Sequence, residues 1–461
     1  MSEYCQGMRV FSLSDRIKRF ASIFRDAGFS LYVVGGAVRD YLLGIPNSDY
    51  DYTTDAQPHE VQRLFRSVIP TGIAHGTVTV IFEGEHYEVT TFRSDGEYTD
   101  QRRPSSVTFI RSLEEDLKRR DFTINAFAAS CETGVIIDNH HGYEDLQDKI
   151  IRAIGNPIER FEEDALRIMR AARFSAKLNF DIEEATFEAM SSLAANLQNI
   201  SVERIHDELT HLLMSDHPRK GLEYLYSSGA LEVIMPELTQ GSGVEQKGHH
   251  HEDVLQHSFT TLEKVAELGA SLYLRLAALL HDVAKPLTRG DNGVRYTFYN
   301  HELVGAEVAR KILRRLKASN EEVDTVTHLI RHHMFHYTPD MSDSAIRRFI
   351  ATVGLETIPD LFRLRIADQL AISGHANTEL LDEFSQRINA ILEADDALSI
   401  KDLAINGREL IEMGIPAGKQ IGQTLKFLLE TVLDDPAQNT KKQLLDIAEK
   451  YQEFCGFTKD S

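Results

Sequence analysis

Asp49 and Asp51 stand two residues apart in the run Ser48-Asp49-Tyr50-Asp51-Tyr52. If that run is a strand, its period of two puts both carboxylates on one face. There they offer hard oxygen ligands suited to Mg²⁺. An Asp-x-Asp alone is commonly a turn or a solvated strand end, so its surroundings decide. Upstream, Leu31-Tyr32-Val33-Val34 is short, apolar and rich in β-branched residues, the pattern of a buried strand. Gly35 and Gly36 follow, where the backbone must approach something closely. Residues 37–43 read as a short helix stopped by Gly44. Its unpaired N–H groups and positive dipole end suit a phosphate. Residues 78–82 and 87–92 read as a strand pair turned at Glu83-Gly84-Glu85. Glu88 on the second strand completes a carboxylate trio if that strand neighbours the aspartates.

Two further groups carry chemistry. The run Arg160-Phe161-Glu162-Glu163-Asp164-Ala165-Leu166-Arg167 reads as the start of a long helix continuing through Arg170, Arg173 and Phe174. Asp164 and Arg167, three apart, would share one face of it. As a surface ion pair they contribute little. As a base reader they do more: Asp accepts from the exocyclic amine of C or A, and Arg donates to the adjacent ring nitrogen. U and G present a carbonyl where that amine should be, and so oppose Asp with a second acceptor. The other group is His257, His281-Asp282, His301, His332-His333 and Asp368, all on expected helices. Imidazole with carboxylate suits Mn²⁺, Ni²⁺, Fe²⁺ or Mg²⁺. For His249-His250-His251 the plain reading is a solvated turn.

Around these groups, residues 12–27 place Leu13, Ile17, Phe20 and Phe24 at helical spacing. Residues 58–68 read as a helix with Pro58 in its first turn. Residues 93–107 lack apolar periodicity and read as a long flexible loop. Lys118-Arg119-Arg120-Asp121 reads as a basic cluster meeting a helix start, and residues 150–154 as the last strand before the chain turns helical. Ser201 can cap the next helix. The tail from Asp395 carries Asn406-Gly407-Arg408 and a helix over 421–433. At 461 residues the chain has room for more than two domains. Its three cysteines, Cys5, Cys131 and Cys455, are far apart and odd in number, which fits a reducing cytosol. No apolar run reaches membrane-spanning length and no signal-peptide pattern opens the chain, so the expected location is cytoplasmic. A net charge of −21 counts against non-specific nucleic-acid binding but leaves room for a local basic site.

The ordered set of strand, Gly-Gly, helix and Asp-x-Asp resembles the nucleotidyltransferases of the DNA polymerase β superfamily. The Arg39-Asp40 ending resembles the branch holding bacterial-type (class II) CCA-adding tRNA nucleotidyltransferases and bacterial poly(A) polymerase. Glu163-Asp164-x-x-Arg167 matches that branch's template-like motif, the 93–107 loop resembles the mobile one needed for the final A, and Lys118–Ala126 matches a further motif. Asn139, His140 and His141 depart from the family pattern, which usually has Asp-Pro and a Gly pair there. His257, His281, Asp282 and Asp368 resemble the metal-ligand pattern of HD phosphohydrolases.

The resemblance implies a multidomain chain. An α+β polymerase β-like head (10–154) is followed by an all-α neck (155–240), an HD body (241–394) and a tRNA-contacting tail (395–461). It implies CCA addition to tRNA from CTP and ATP without a nucleic-acid template. In that reading Asp49, Asp51 and Glu88 are catalytic, with Mg²⁺ on Asp49 and Asp51. Gly35, Gly36, Arg39, Arg120, Asp164, Arg167, Arg170 and Arg173 bind the nucleotide. A second divalent metal sits on the HD residues for phosphodiesterase or phosphatase chemistry. The alternatives are a poly(A) polymerase, a specialist adding only CC or only A, or chiefly a phosphohydrolase with an RNA-binding head.

Overall fold

The computed structural model describes residues 9–47, 49–95, 107–246, 252–291, 296–394 and 397–455. They fall into two compact units, one running through Gln240 and including Arg315–Ala318, the other running from Gly241 to Arg314 and from Ser319 onward.

The first unit opens with a helix, Asp15–Asp26, capped by Ser14, whose Ile17, Phe20 and Phe24 are buried. Then come β1 (Leu31–Val34), β2 (Asp51–Thr54), β3 (Val68–Gly72), β4 (Thr77–Phe82) and β5 (Glu85–Thr91). A hairpin of β6 (Arg93–Asp95) and β7 (Val107–Phe109) follows, then β8 (Phe127–Ser130) and β9 (Ile136–Asp138). Seven strands form one sheet in the order β3-β4-β5-β2-β1-β8-β9. β2 and β5 run parallel, with Asp51 opposite Glu88. β1 and β2 run antiparallel, with Val34 opposite Asp51. This register places the Gly35-Gly36 turn after the end of β1, Asp51 at the start of β2 and Glu88 opposite Asp51 in the middle of β5.

Several local expectations change. Asp49 is not on a strand: β2 begins at Asp51, and the Asp49 N–H donates to Asn47 Oδ1 at 2.8 Å. The helix after Pro58 stops at Leu64, because Phe65 turns extended. Val68–Gly72 instead forms the sheet's edge, with a register irregularity between Ile69 and Gly72 that accommodates Pro70. The 93–107 segment is not loop throughout, since its two ends pair as β6 and β7. Its centre, with Gly96-Glu97 and Arg102-Arg103-Pro104, lies outside the described residues, as does His249-His250-His251. Of 150–154 only Ile150–Ile151 forms a strand, pairing with Asp181–Ile182 outside the main sheet.

Beyond residue 156 the first unit is helical. The long helix expected from Arg160 is broken in two, Pro157–Glu163 and Leu166–Leu178. Asp164 sits at the break in an extended conformation (φ −148°, ψ 102°), and its side chain accepts the Leu166 N–H at 3.0 Å. A short carboxylate that bonds nearby backbone competes with helix continuation. Ser201 occupies the N-cap of Val202–Leu213 without a side-chain capping bond.

The second unit is built on helices Val254–Glu267, Leu272–Leu280, His301–Arg315, Asn320–His332 and Ile358–Ser373. The first packs against the second and the last, and Leu272–Leu280 also packs against Asn320–His332. Leu272–Leu280 is almost wholly buried, as its mostly apolar sequence requires, and its one charged residue, Arg275, is buried with it. Gly407–Glu412, Lys419–Asp434 and Lys441–Cys455 close on their own apolar cluster, including Leu410, Leu428, Val432 and Leu444. No helix among the described residues is long and apolar enough to cross a membrane.

Candidate functional site

A cavity of about 710 Å³ opens at the end of β1. Gly35, Gly36, Asp49 and Asp51 lie on one side, and Asp164, Arg167, Arg170, Arg173 and Arg204 also line it. Eight cationic side chains (Arg39, Arg119, Arg120, Arg167, Arg170, Arg173, Lys177 and Arg204) face five carboxylates (Asp40, Asp49, Asp51, Asp121 and Asp164). The chain as a whole is strongly acidic, so this is a local positive focus suited to a polyphosphate.

The close approach expected at the glycines is present. Gly35 has φ +70°, and a Cβ there would stand 3.0 Å from the Arg120 guanidinium. Arg120 is therefore held against the glycine turn. Burial lowers its pKa, with Asp116 opposing that shift. The basic cluster that contains it closes the Leu113–Lys118 helix rather than opening one, and a short 3₁₀ turn, Thr123–Asn125, follows. Arg39 is buried, and its guanidinium donates to Asp40 Oδ1 at 2.8 and 2.6 Å and to Asn125 Oδ1 at 2.5 Å. It lines the cavity as a fixed wall.

Asp51 and Glu88 both have raised pKa values. For Asp51 the causes are burial and then Asp49, with Arg120 opposing; for Glu88 they are burial, then Asp51, then Asp49. Asp51 and Glu88, opposite each other on β2 and β5, and Asp49 just before β2 repel one another as carboxylates that share a hard divalent cation do. Glu88 does not line the cationic cavity. It lines a neighbouring one, of about 690 Å³, whose wall also includes Asp49. Asp49 thus faces both.

Asp164 and Arg167 share the cationic cavity, and the Arg167 N–H donates to the Asp164 carbonyl at 3.0 Å, but their side chains pair elsewhere. Asp164 Oδ2 pairs with Arg204 Nη2 at 2.6 Å. Arg167 Nη1 donates to Glu163 Oε2 at 2.7 Å and the Arg160 carbonyl at 3.0 Å, and Nη2 to the Arg119 carbonyl at 3.1 Å. Arg170 forks onto Asp121 Oδ2 at 2.8 and 2.5 Å, and Arg173 Nε lies 2.7 Å from Glu208. Sequence reasoning assigned no role to Arg204, Asp121, Asn125 or Lys177. Arg204 lies three residues beyond Ser201, and nothing local shows that it reaches residue 164.

The Asp121–Arg170 pair yields a stability prediction. Burial alone would raise Asp121, but Arg170 overcomes it and holds the carboxyl at about 2. Its folded-state pKa lies below the unfolded value of about 3.9, so the contribution is complete above that pH and is lost as pH falls toward 2. Asp121→Asn leaves a half-buried guanidinium with Glu208, 3.4 Å away, as its remaining anion and is expected to cost about 1–2 kcal/mol at neutral pH. Thermal melts of both proteins at pH 7 and pH 3 check this: the difference should narrow at the lower pH.

In the second unit, side chains expected from sequence do converge. His257 Nε2 lies 3.0 Å from Asp368 Oδ1 and 3.6 Å from Asp282 Oδ2. His281 Nε2 lies 3.1 Å from Asp282 Oδ2 and 3.8 Å from Asp368 Oδ1. Burial works against both ionised carboxylates. For Asp282 the main opposing influences are His281 and Lys285, which bring its pKa well below the ordinary range. For Asp368 they are the hydrogen bond from His257 and then the charge of His281, which bring it to about 2. Among the described residues, two groups bring three ligand atoms within 4.8 Å of one another, and both are here: His257, His281 and Asp282, and Asp282, His301 and His333. His332 belongs to neither.

Three family models match the chain: the Poly A polymerase head domain over residues 31–152, the RNA and SrmB-binding site of polymerase A over 179–241, and tRNA nucleotidyltransferase domain 2 over 297–448. A CCA-adding enzyme of Streptococcus thermophilus is 36% identical over 91% of this chain and 92% of its own length. The chain belongs to the bacterial CCA-adding enzymes of the polymerase β superfamily. The CCA-adding enzyme of Streptococcus mutans is likewise 36% identical, over 94% of this chain and 99% of its own. The solved Bacillus stearothermophilus CCA-adding enzyme, in complex with CTP, superposes with a TM-score of 0.72 at 29% identity, covering 95% of this chain and 98% of that one. A Thermotoga maritima CCA-adding enzyme complexed with tRNA shares the fold, with a TM-score of 0.58 at 20% identity. Membership makes this chain a tRNA nucleotidyltransferase with an α+β head and a mostly helical remainder.

Proposed function

We propose that the first unit adds CCA to tRNA 3′ ends from CTP and ATP, selecting each base with protein side chains and no nucleic-acid template. The supporting observation is one cavity that joins a cationic wall, the Asp49 and Asp51 carboxylates, and the Asp164–Arg167–Arg204 group. Arg120 and the outer guanidinium edges neutralise the triphosphate. Asp49, Asp51 and Glu88 would hold Mg²⁺, which when bound lowers the pKa of the tRNA 3′-hydroxyl and offsets charge on the phosphates. The hydroxyl attacks the α-phosphate in line and pyrophosphate leaves. Asp49, facing both cavities, is suited to sit between the two reactants. Asp164 accepts from the amine of C or A, and Arg167 donates to the ring nitrogen beside it. Arg204 and Glu163 fix the direction of those two side chains. Such work on tRNA suits the cytoplasm.

The test is to offer tRNA lacking its 3′ end with CTP, ATP or both, and to sequence the product ends. Ordered CCA supports the reading. A long A tract from ATP alone points to poly(A) polymerase, and A added only after CC to an A-adding specialist. Base choice has its own test. Asp164→Ala removes the acceptor that opposes the uracil carbonyl, and Arg167→Ala weakens use of both CTP and ATP. An unpaired buried polar group costs roughly 1–3 kcal/mol, so discrimination against UTP and GTP should fall by roughly 5- to 150-fold. Single-nucleotide incorporation with all four triphosphates measures it. Wild-type discrimination in Asp164→Ala would move selection elsewhere.

For the second unit we propose a metal-dependent phosphodiesterase or phosphatase of HD type, with His257, His281, Asp282 and Asp368 holding a divalent cation. The supporting observation is the buried convergence of those ligand atoms. A bound cation lowers the pKa of water for attack on phosphorus.

A further inference from the structure

We infer that Lys177 is a further catalytic residue of nucleotide addition: its ammonium gives the proton that the departing pyrophosphate takes up. This rests on the addition mechanism proposed for the first unit and deepens it.

Seven of the eight cations around the nucleotide cavity are arginines, and each lies 2.5–3.8 Å from a carboxylate. The eighth, Lys177, makes no hydrogen bond and no ion pair among the described residues. It is the cation left for a ligand. Arginine keeps its proton throughout the physiological range, so the seven offset charge and transfer nothing. A lysine ammonium offsets charge and can also give up a proton.

Lys177 stands on the side of the cavity where the leaving group belongs. It lies on helix Leu166–Leu178, three residues after Phe174 and seven after Arg170, so the three share one face. Arg167, which meets the base in this mechanism, is about 15 Å back along the axis. The Arg39 guanidinium carbon is 5.3 Å from the Phe174 ring centre, and Arg39 Nη2 is 3.4 Å from where a Gly36 Cβ would be. The charges around Lys177 are this same Arg39 with Asp40, from the helix Gly36–Leu42, and Arg173 on its own helix. Lys177 is thereby tied to the Gly35-Gly36 turn that seats the phosphates. Burial and then Arg39 lower its pKa, Asp40 opposes, and Arg173 adds to the lowering. A general acid works best with a pKa near the working pH, and lowering a lysine moves it that way. The residue is exposed, so water can restore the proton.

As the 3′-oxygen bonds to the α-phosphorus, the bond from that phosphorus to the bridging oxygen breaks, and its electron pair stays on the oxygen. Lys177 Nζ gives its proton to the pyrophosphate and becomes a neutral amine. The 3′-hydroxyl proton passes to water, and water reprotonates the amine after pyrophosphate leaves. General acids of this kind contribute roughly 10²- to 10⁴-fold.

The test varies the basicity of the leaving group in single-turnover addition to tRNA ending before the first C. The full chain and its Lys177→Arg and Lys177→Gln variants receive CTP and two analogues, with CF2 or CH2 as the β,γ bridge. CF2 makes the better leaving group and CH2 the worse one. Lys177→Arg keeps the charge and loses the proton donor. Its rate with CTP should fall roughly a hundredfold while CTP affinity holds, and its rate gap between the two analogues should widen. The protonated amine is the donor, so the parent's rate should decline as pH rises through the Lys177 pKa, and that decline should be absent in Lys177→Arg. Lys177→Gln should lose affinity as well as rate. Addition by Lys177→Arg at the parent rate, or a slower rate with an unchanged gap between analogues, would overturn the proposal, leaving Lys177 as a phosphate contact and the addition mechanism standing. No addition by the parent would overturn that mechanism itself.

Discussion

Replacing Asp49 or Asp51 by alanine is expected to abolish nucleotide addition with either CTP or ATP. The two carboxylates differ in position but not in consequence. Asp51 begins β2 between Val34 and Glu88, where mutual repulsion favours a divalent cation. Asp49 precedes the strand and lines both neighbouring cavities. Loss of either would remove charge stabilisation of several kcal/mol from the transition state. At about 1.4 kcal/mol per decade, kcat should fall by roughly a thousandfold or more. Neither change touches the apolar core, so the melting profile should hold near that of the parent. Any phosphodiesterase activity of the second unit should also persist. The measurement is steady-state incorporation of labelled CTP into tRNA ending before the first C, beside a thermal melt. Addition at wild-type rates in either variant would end the assignment.

What could be read from sequence was what is local. Strand β1, the Gly-Gly turn and the following helix are dictated within about a dozen residues by apolar run, glycine and stop signal, and they stand as expected. Asp49 was misjudged because period two says where side chains point only if the backbone is already strand. Asp164 was misjudged for a related reason: helical spacing from Arg160 to Phe174 hides a side chain that caps its own break. The edge strand Val68–Gly72 carries a proline and exposed residues, so nothing in its composition announces a strand, and the helix reading over 58–68 ran into its first residue. Arg204 on Asp164 and Arg170 on Asp121 are contacts across 40 and 49 residues. No window of sequence contains them. The histidines of the second unit were legible as an ordered set, yet only packing of separate helices shows that Asp282 stands between two groups of them.

The second large effect is expected from His281→Ala combined with Asp282→Ala, which should remove metal-dependent hydrolysis of a 2′,3′-cyclic phosphate. His281 Nε2 and Asp282 Oδ2 belong to the same group of ligand atoms as His257, and Asp282 also belongs to the His301–His333 group. The double change therefore removes two of the four proposed ligands and the carboxylate common to both groups. The remaining Asp368 and His257, 3.0 Å apart, leave one carboxylate and one imidazole, too few to hold a catalytic cation. Without the bound cation the attacking water keeps its ordinary pKa, far above the one a metal-bound water has. A barrier increase of several kcal/mol, or roughly a thousandfold in rate, follows. Both residues are 1% exposed, so cavity formation could lower stability as well. The gentler pair His281→Gln with Asp282→Asn preserves volume and separates lost chemistry from lost fold. CCA addition provides the internal control, because Asp49 and Asp51 belong to the other unit. The assay is cyclic-phosphate hydrolysis with Mn²⁺, Ni²⁺, Fe²⁺ and Mg²⁺ in turn, on parent and variants. If the parent hydrolyses nothing with any of the four, the centre is structural. The same substitutions should then change only the melting temperature.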